Sequence, residues 1–435
     1  MTRYVQCQDE SVNEQIDSKL RLVAKIILKN TPNIRSILIV GGFGKGEGSI
    51  KLTKDGKVRL LRDIDILCIV DRKPNLEAIN ELYDELYKSL DVINPESLLF
   101  PSRSFTIGLR FLQKDDLIYP DIYFYDLKAA SQILWGEDVR HLIPWTKKDV
   151  PFSSGLRLLF EKVCGLLGHF SIVYIQGKAP GSQEREPILT ECRKAFIEMG
   201  TALCILAGKY EPQYAQRAKV LENFYSTEFP ELARVLPELP KKVIKYTDLK
   251  LRSYLLEDYE DPVELWFSVR SYLKEVLSLY LKRYTGKSLS DWNTLPDLMA
   301  TVARDYYKPF LAPLLHTRLH FSSRSVLDIA ALLYQGFTNL EYVHVVALDR
   351  KKIHLRPLLR WYISPSLKYF PAGAMLLFSL NRDGTTENSL LQGAAEELRS
   401  CIPVKISSFG ASGWEELRCH FLKAYSLYSG YHFVK

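Results

Sequence analysis

Cysteine is scarce and unpatterned in this chain. The seven residues, at positions 7, 68, 164, 192, 204, 401 and 419, show no pairing and no Cys-x-x-Cys spacing. That excludes a disulfide framework. With an odd count and no secretory leader, it leads us to expect a reducing, cytoplasmic setting. Several of these thiols sit inside apolar segments, where they behave as small hydrophobes. Long hydrophobic runs are missing too. The longest uncharged stretches, such as Ala372–Leu380, are far too short to span a bilayer, so no membrane partner is expected. Neither sign of charge dominates: 58 Lys and Arg stand against 51 Asp and Glu, a net +7. So mild an excess suits phosphate-bearing substrates without demanding nucleic acid. Internal repeats and low-complexity tracts are absent.

What is present is an ordinary globular composition, 47% hydrophobic and 25% charged, over 435 residues, enough for two or three domains. Aromatic residues reach 12%, with 25 Tyr, so large cores or stacking surfaces can be built.

The chain is organised around Ile34 to Val70. An apolar strand, Ile34–Val40, runs into a turn in which Gly41, Gly42, Gly44, Gly46 and Gly48 fall within eight residues. Each glycine would cost about 1 kcal/mol in a helix interior. Their use is close backbone approach, with N–H groups converging on an anion. Lys45 adds a positive charge, and the Ser49 hydroxyl could reach a phosphate. A polar insert follows, with Lys54–Lys57 as a hairpin turn. Then comes the apolar strand Ile64–Val70, which carries Asp65, with Asp63 two residues earlier.

Alternation along a strand points Asp63 and Asp65 the same way, their Cα atoms roughly 6–7 Å apart. Two anions on one face of an apolar strand are costly unless a cation lies between them or they sit in solvent beside Arg62. Mg²⁺ suits one or two carboxylates plus substrate phosphates. Two familiar phosphate loops do not fit. A Walker A loop needs Ser or Thr after Gly-Lys, but Gly46 follows Lys45. In the dinucleotide fingerprint counted from Gly42, Glu47 occupies the last glycine slot.

The combination resembles the DNA polymerase β-like nucleotidyltransferase superfamily, in its minimal and antibiotic-type branch. Gly41-Gly42 match the paired small residues, Lys45-Gly46-Glu47 the basic-Gly-acidic part, and Asp63 with Asp65 the metal-binding pair. Twenty residues separate Gly42 from Asp63, more than the family's usual dozen or so, and the inserted hairpin supplies the excess. The resemblance implies an α+β fold, a small mixed-sheet catalytic domain followed by an all-helical region. It implies catalysis by Asp63, Asp65 and a third carboxylate. It also implies Mg²⁺ on those three, nucleotide contacts from Gly41, Gly42, Lys45 and Ser49, and transfer of an NMP from an NTP, ATP being expected, to an acceptor hydroxyl. For the third carboxylate the expectation is Asp121, opening the apolar segment Ile122–Tyr125 of a strand Leu117–Tyr125. Asp126 is the alternative, as the N-cap of a short helix to Leu134. The acceptor is open: a small molecule, an RNA 3′ end or a protein hydroxyl. The rival function is a non-catalytic nucleotide-binding or scaffold protein on the same fold.

In chain order, residues 10–30 and Asn75–Leu90 read as amphipathic helices and Ser104–Leu112 as a strand. Pro144–Ser154 reads as a boundary, giving a catalytic domain over 1–150, a helical acceptor-binding domain over 151–350 and a helical C-terminal region over 351–435. Helices are expected at Gly155–Ile175, Ile188–Ala207, Asp261–Arg283, Ser322–Val346, Leu390–Cys401 and Trp414–Tyr428, with Lys178–Pro187 a loop. His316 and His320 have zinc-ligand spacing but no third ligand, and read as packing or surface residues. Arg193 and Lys194 read as helix charges able to reach a triphosphate.

Overall fold

The structure is a computed structural model. It describes residues 4–7, 9–52, 58–60, 64–89, 107–252, 260–309, 311–312, 315, 324–350, 355, 358 and 360–433. Asp63, Arg62, His316, His320, the turn Lys54–Lys57 and the residues Ser322-Ser323 lie outside these.

The chain divides into two compact units. The first takes Met1–Val150 together with Gly208–Asn223 and Pro240–Asp258. The second takes Pro151–Ala207, Phe224–Leu239 and Tyr259–Lys435. Two stretches of the expected helical region thus belong to the first unit, and 351–435 is continuous with the second.

The first unit opens with α1 (Glu10–Asn30), capped by Asp9, whose carboxylate accepts from the Ser11 N–H. Its stripe Val12, Ile16, Leu20, Val23 and Ile27 is buried, the packing expected of apolar residues three and four apart. Then follow β1 (Ile34–Ile39), a short helical turn α2 (Gly41–Gly44), β2 (Ile50–Leu52), β3 (Val58–Leu60) and β4 (Ile64–Val70). After α3 (Leu76–Ser89) come β5 (Ile107–Leu112), α4 (Ile122–Ala130) and β6 (Gln132–Gly136). The sheet order is β5-β4-β1-β6, with β4 and β5 parallel and the other pairs antiparallel. The inserted hairpin is a separate ribbon, β2 on β3, in register Ile50↔Leu60.

Both faces of the central strands are buried, which is why β1 and β4 read as unbroken apolar runs. Ile37, Ile39, Ile64, Ile66 and Cys68 pack with α1 and α3. Leu38, Val40, Leu67 and Ile69 pack with Phe124 and Leu127 of α4 and with Val139 and Ile143. Asp65 is the one β4 residue that is not buried.

Two expected elements differ. Leu117–Tyr125 is not a strand: a 3-10 turn covers Lys114–Ile118, and α4 begins at Ile122. Asp121 is an excellent N-cap. Its carboxylate accepts from the Tyr123 N–H at 3.1 Å, and this local bond competes with an extended chain. The expected helix Asp126–Leu134 is also divided, since Gln132–Gly136 is β6 on the edge of the sheet, paired with β1. Residues Ile133, Leu134 and Trp135 suit either state locally, and pairing with β1 decides between them.

The second unit is helical: α5 (Phe152–His169), α6 (Ser182–Leu206), the C-terminal part of α7 (Tyr214–Glu228), α8 (Pro230–Val235), α9 (Leu239–Leu251) at its first residue only, α10 (Pro262–Thr285) and α11 (Leu295–Tyr306). Then come α12 (Arg324–Arg350), α13 (Pro365–Ser379), α14 (Asn388–Arg399) and α15 (Ala411–Phe433). Helix α6 starts at Ser182, inside the expected loop, because the Glu184 carboxylate accepts from the Gly181 N–H at 2.6 Å and anchors the first turn. Phe170 stacks on Trp266 with ring centroids 3.8 Å apart, and Phe160 on Phe370 at 4.7 Å. Every residue of α13 is buried. Among the described residues no helix is long and apolar enough to cross a membrane.

Candidate functional site

The register of β1 on β4 sets the site. Ile39 lies opposite Ile66, and the Val40 N–H donates to the Asp65 carbonyl at 3.0 Å. The chain therefore turns at Gly41 directly beside the Asp65 side chain. Gly41 has φ +61°, and a Cβ there would lie 2.3 Å from Asp65 Oδ2. Only glycine meets both demands. On the other side, β5 puts Gly108 opposite Asp65, where a Cβ would lie 3.0 Å from Oδ1. The carboxylate thus stands between two glycine backbones. Two residues along β5, on the same face, the Arg110 guanidinium lies 4.6 Å from the Tyr123 ring. Burial pushes the Tyr123 hydroxyl up to about 12, against the Arg110 charge and with that of Asp65.

The rest of the turn is tied into the first unit. The Lys45 N–H donates to the Gly41 carbonyl at 3.1 Å, closing the turn. The Lys45 side chain is almost fully buried and forms a close ion pair with Asp126 of α4. The other Asp126 oxygen accepts from the buried Tyr210 hydroxyl at 2.8 Å. Glu47, also buried, accepts from the Tyr214 N–H at 2.6 Å and the Ala215 N–H at 3.0 Å. It thus caps the N-terminus of α7, where a carboxylate meets unsatisfied donors and the helix dipole. Ser49 Oγ donates to the Lys250 carbonyl of α9 at 3.4 Å.

Around the Tyr214 ring lie three cations: Lys45 Nζ at 5.1 Å, the Arg217 guanidinium at 4.6 Å and Lys250 Nζ at 4.6 Å from the centroid. Arg217 is buried, lies 5.0 Å from the Tyr210 ring and donates to the Glu211 carbonyl at 2.9 Å. An aromatic face attracts cations. Here it gathers three of them next to a glycine turn, with Asp126 as the carboxylate paired to Lys45.

The structure therefore brings Gly41 against Asp65, and directs the Lys45 side chain to Asp126 and the Ser49 hydroxyl to the Lys250 carbonyl. Asp63 lies outside the described residues. Asp121 is not on a strand beside β4 as expected: it is the N-cap of α4, and the parallel neighbour of β4 is β5, whose residues Ile107–Leu112 include no carboxylate. Asp126, the alternative, lies inside α4 and is committed to Lys45 and Tyr210. Among the described residues, no group of three or more His, Cys, Asp and Glu side chains could hold a metal ion. Asp65 is the described member of the expected pair.

Sequence reasoning missed Gly108, Arg110, Tyr210, Tyr214, Arg217 and Lys250. Tyr214 and Arg217, three apart on α7, carried a faint signal; the others carried none. Arg193 pairs with Glu260 at 3.4 Å, and Lys194 with Glu191 at 2.7 Å, both within the second unit. No protein-family model matches this chain, and no curated protein matches it either.

Proposed function

We propose that this chain is a nucleotidyltransferase working at the Gly41–Lys45 turn. It would move an NMP from an NTP, ATP in the first instance, to an acceptor hydroxyl. The acceptor oxygen bonds to the α-phosphorus, the bond from that phosphorus to the bridging oxygen breaks, and pyrophosphate leaves. The observation that carries this reading is the Asp65 carboxylate set against the backbone of Gly41. It supports the reading because an anion suited to a cation then stands beside the glycine turn to which the resemblance assigns the nucleotide.

Mg²⁺, held by Asp63 and Asp65, would supply charge neutralisation on the phosphates when bound. The chain's own part is positioning. Gly41 lets the backbone pass against the Asp65 carboxylate, and Gly42 lets it pass the Glu47 carbonyl. Arg217 and Lys250 bring two further cations beside the turn, next to the Lys45–Asp126 pair. The acceptor class stays as broad as a small molecule, an RNA end or a protein hydroxyl.

A second reading, a nucleotide-binding protein without transfer activity, is favoured by the lack of a carboxylate on β5 and by the hold of Asp126 on Lys45. One experiment separates the two. NTPs labelled at the α-phosphate are incubated with the chain, Mg²⁺ and a cell extract divided into RNA, protein and small molecules, with Asp65→Asn as control. Label entering one fraction, and absent with Asp65→Asn, supports transfer and identifies the acceptor class. NTP retained on the chain with no label in any fraction supports the binding-only reading.

A further inference from the structure

The lysine of the glycine turn is spent inside the first unit. The Lys45 side chain is 7% exposed, and its close partner Asp126 18%. The Lys45 ammonium also lies 5.1 Å from the centre of the Tyr214 ring. The second Asp126 oxygen accepts from the Tyr210 hydroxyl at 2.8 Å, and Tyr210 is fully buried. Burial pushes that hydroxyl well above its ordinary range, with Arg217 acting against it and the Asp126 charge with it, so it stays a donor. One chain of contacts thus runs from the turn, through α4, to the segment ahead of α7. The main chain is held beside the same helix. Gln132 Nε2, at the start of β6, donates to the Gly44 carbonyl at 3.0 Å and to the Phe43 carbonyl at 3.4 Å. A Cβ at Gly44 would lie 2.5 Å from the Ile39 carbonyl oxygen and 3.5 Å from that of Ala130, the last residue of α4.

A cation in a glycine turn is expected to reach for phosphate. To do so here, Lys45 would have to leave Asp126, and a mostly buried carboxylate would keep only the Tyr210 hydroxyl. Breaking a buried ion pair, so that one charge is left uncompensated, costs more than one new charge-assisted hydrogen bond returns. The pair is therefore kept when a ligand arrives. What the ammonium sets instead is the place of the turn. The Lys45 N–H closes the turn on the Gly41 carbonyl at 3.1 Å, and Gly41 is the residue that lies against Asp65. Any shift of Lys45 passes through this bond to the backbone beside the carboxylate.

We propose that Lys45, Asp126 and Tyr210 form a strut that sets the glycine turn, with Asp126 and Tyr210 as positioning residues for nucleotide binding and Lys45 making no phosphate contact. The nucleotide part rests on the proposed function of the turn. The affinity of the full chain for Mg²⁺·ATP, by titration calorimetry, tests it at a temperature where every variant keeps the wild-type circular dichroism. Asp126→Asn and Lys45→Met should each weaken binding about tenfold, and Tyr210→Phe about threefold. Combining Asp126→Asn with Lys45→Met should weaken it no more than either alone, since both break the same contact. A merely structural pair would lower stability and leave these affinities unchanged. A phosphate-binding Lys45 gives the opposite sign, because Asp126→Asn would free its ammonium and tighten binding. Tighter or unchanged binding in Asp126→Asn therefore overturns the positioning role. Amide hydrogen exchange reads the strut without nucleotide. The N–H groups of Lys45, Gly46 and Glu47 bond across the turn at 3.1, 3.2 and 2.8 Å. They should exchange faster in Asp126→Asn and in Tyr210→Phe while α1 keeps its protection, and unchanged exchange overturns the strut. A wild type that binds no ATP overturns the nucleotide reading and the positioning role with it; faster exchange in the variants then leaves the strut as architecture alone.

Discussion

At the scale of single residues, the site depends on what glycine lacks. Asp65 presses against Gly41, which is also held at positive φ. Gly41→Ala adds a methyl group where Oδ2 now lies and imposes a strained backbone. We expect it to cost about 1–3 kcal/mol in denaturant unfolding and to move the Asp65 carboxylate. Gly108→Ala, with its longer 3.0 Å approach, should cost less. Equal effects would mean that the carboxylate swings freely between the two strands. Part of this was readable beforehand. Five glycines within eight residues, followed by Asp63 and Asp65, announce a tight turn and a strand that carries a carboxylate through local sequence alone. Gly108 carried no such signal, because a lone glycine acquires meaning only from the residue opposite it.

At the scale of elements, α7 enters the first unit through its N-terminus, and Glu47 receives it. The Glu47 carboxylate is buried against the Tyr214 and Ala215 N–H groups, so Glu47→Ala leaves those donors without their acceptor. The expected cost is about 1–2 kcal/mol, the size of a lost helix cap. Amide hydrogen exchange should speed up at Tyr214 and Ala215 while α1 keeps its protection; unchanged exchange would remove Glu47 as the cap. Elements read well from sequence where one period was unambiguous. The stripe of α1 and the apolar run of β4 are examples. They failed where a strong local device overrode the pattern: Asp121 turned an apolar stretch into a helix start. They failed again at β6, where a short segment took its state from the strand beside it.

At the scale of the whole molecule, the division into two compact units leads us to expect two unfolding responses. Gly41→Ala should lower the first unit's transition. The buried Lys368 governs a pH dependence in the second. Burial pushes its ammonium down from the ordinary lysine range to about 8, with Cys401 and Glu397 acting upward and Arg360 downward. The unfolded chain keeps the lysine protonated up to about 10.5. Between pH 8 and 10.5 the unfolded state therefore binds more protons, and this lysine's contribution to stability rises with pH, by about 3 kcal/mol over the window. Buried tyrosines act in the opposite sense in alkali, so the measurement is a difference. Wild type minus Lys368→Met, followed in the second unit's transition, should grow in favour of wild type from pH 8 to 10.5. A flat difference would show that the ammonium is already solvated or fully paired.

The sequence by itself determined the local facts: the glycine turn between two apolar strands, a carboxylate on the second of them, and the helical remainder. These follow from period, turn chemistry and side-chain alternation, all of which act over a few residues. Only the tertiary structure decided who holds whom. Asp126 takes Lys45 from 81 positions away, and the Tyr214 amide takes Glu47 from 167. It also decided which polar side chains of α12 are packed, since Asn339 meets Lys368 and the carbonyls of Gln335, Trp361 and Ile363. Such pairings depend on which elements the cores bring together, and no short-range rule encodes that.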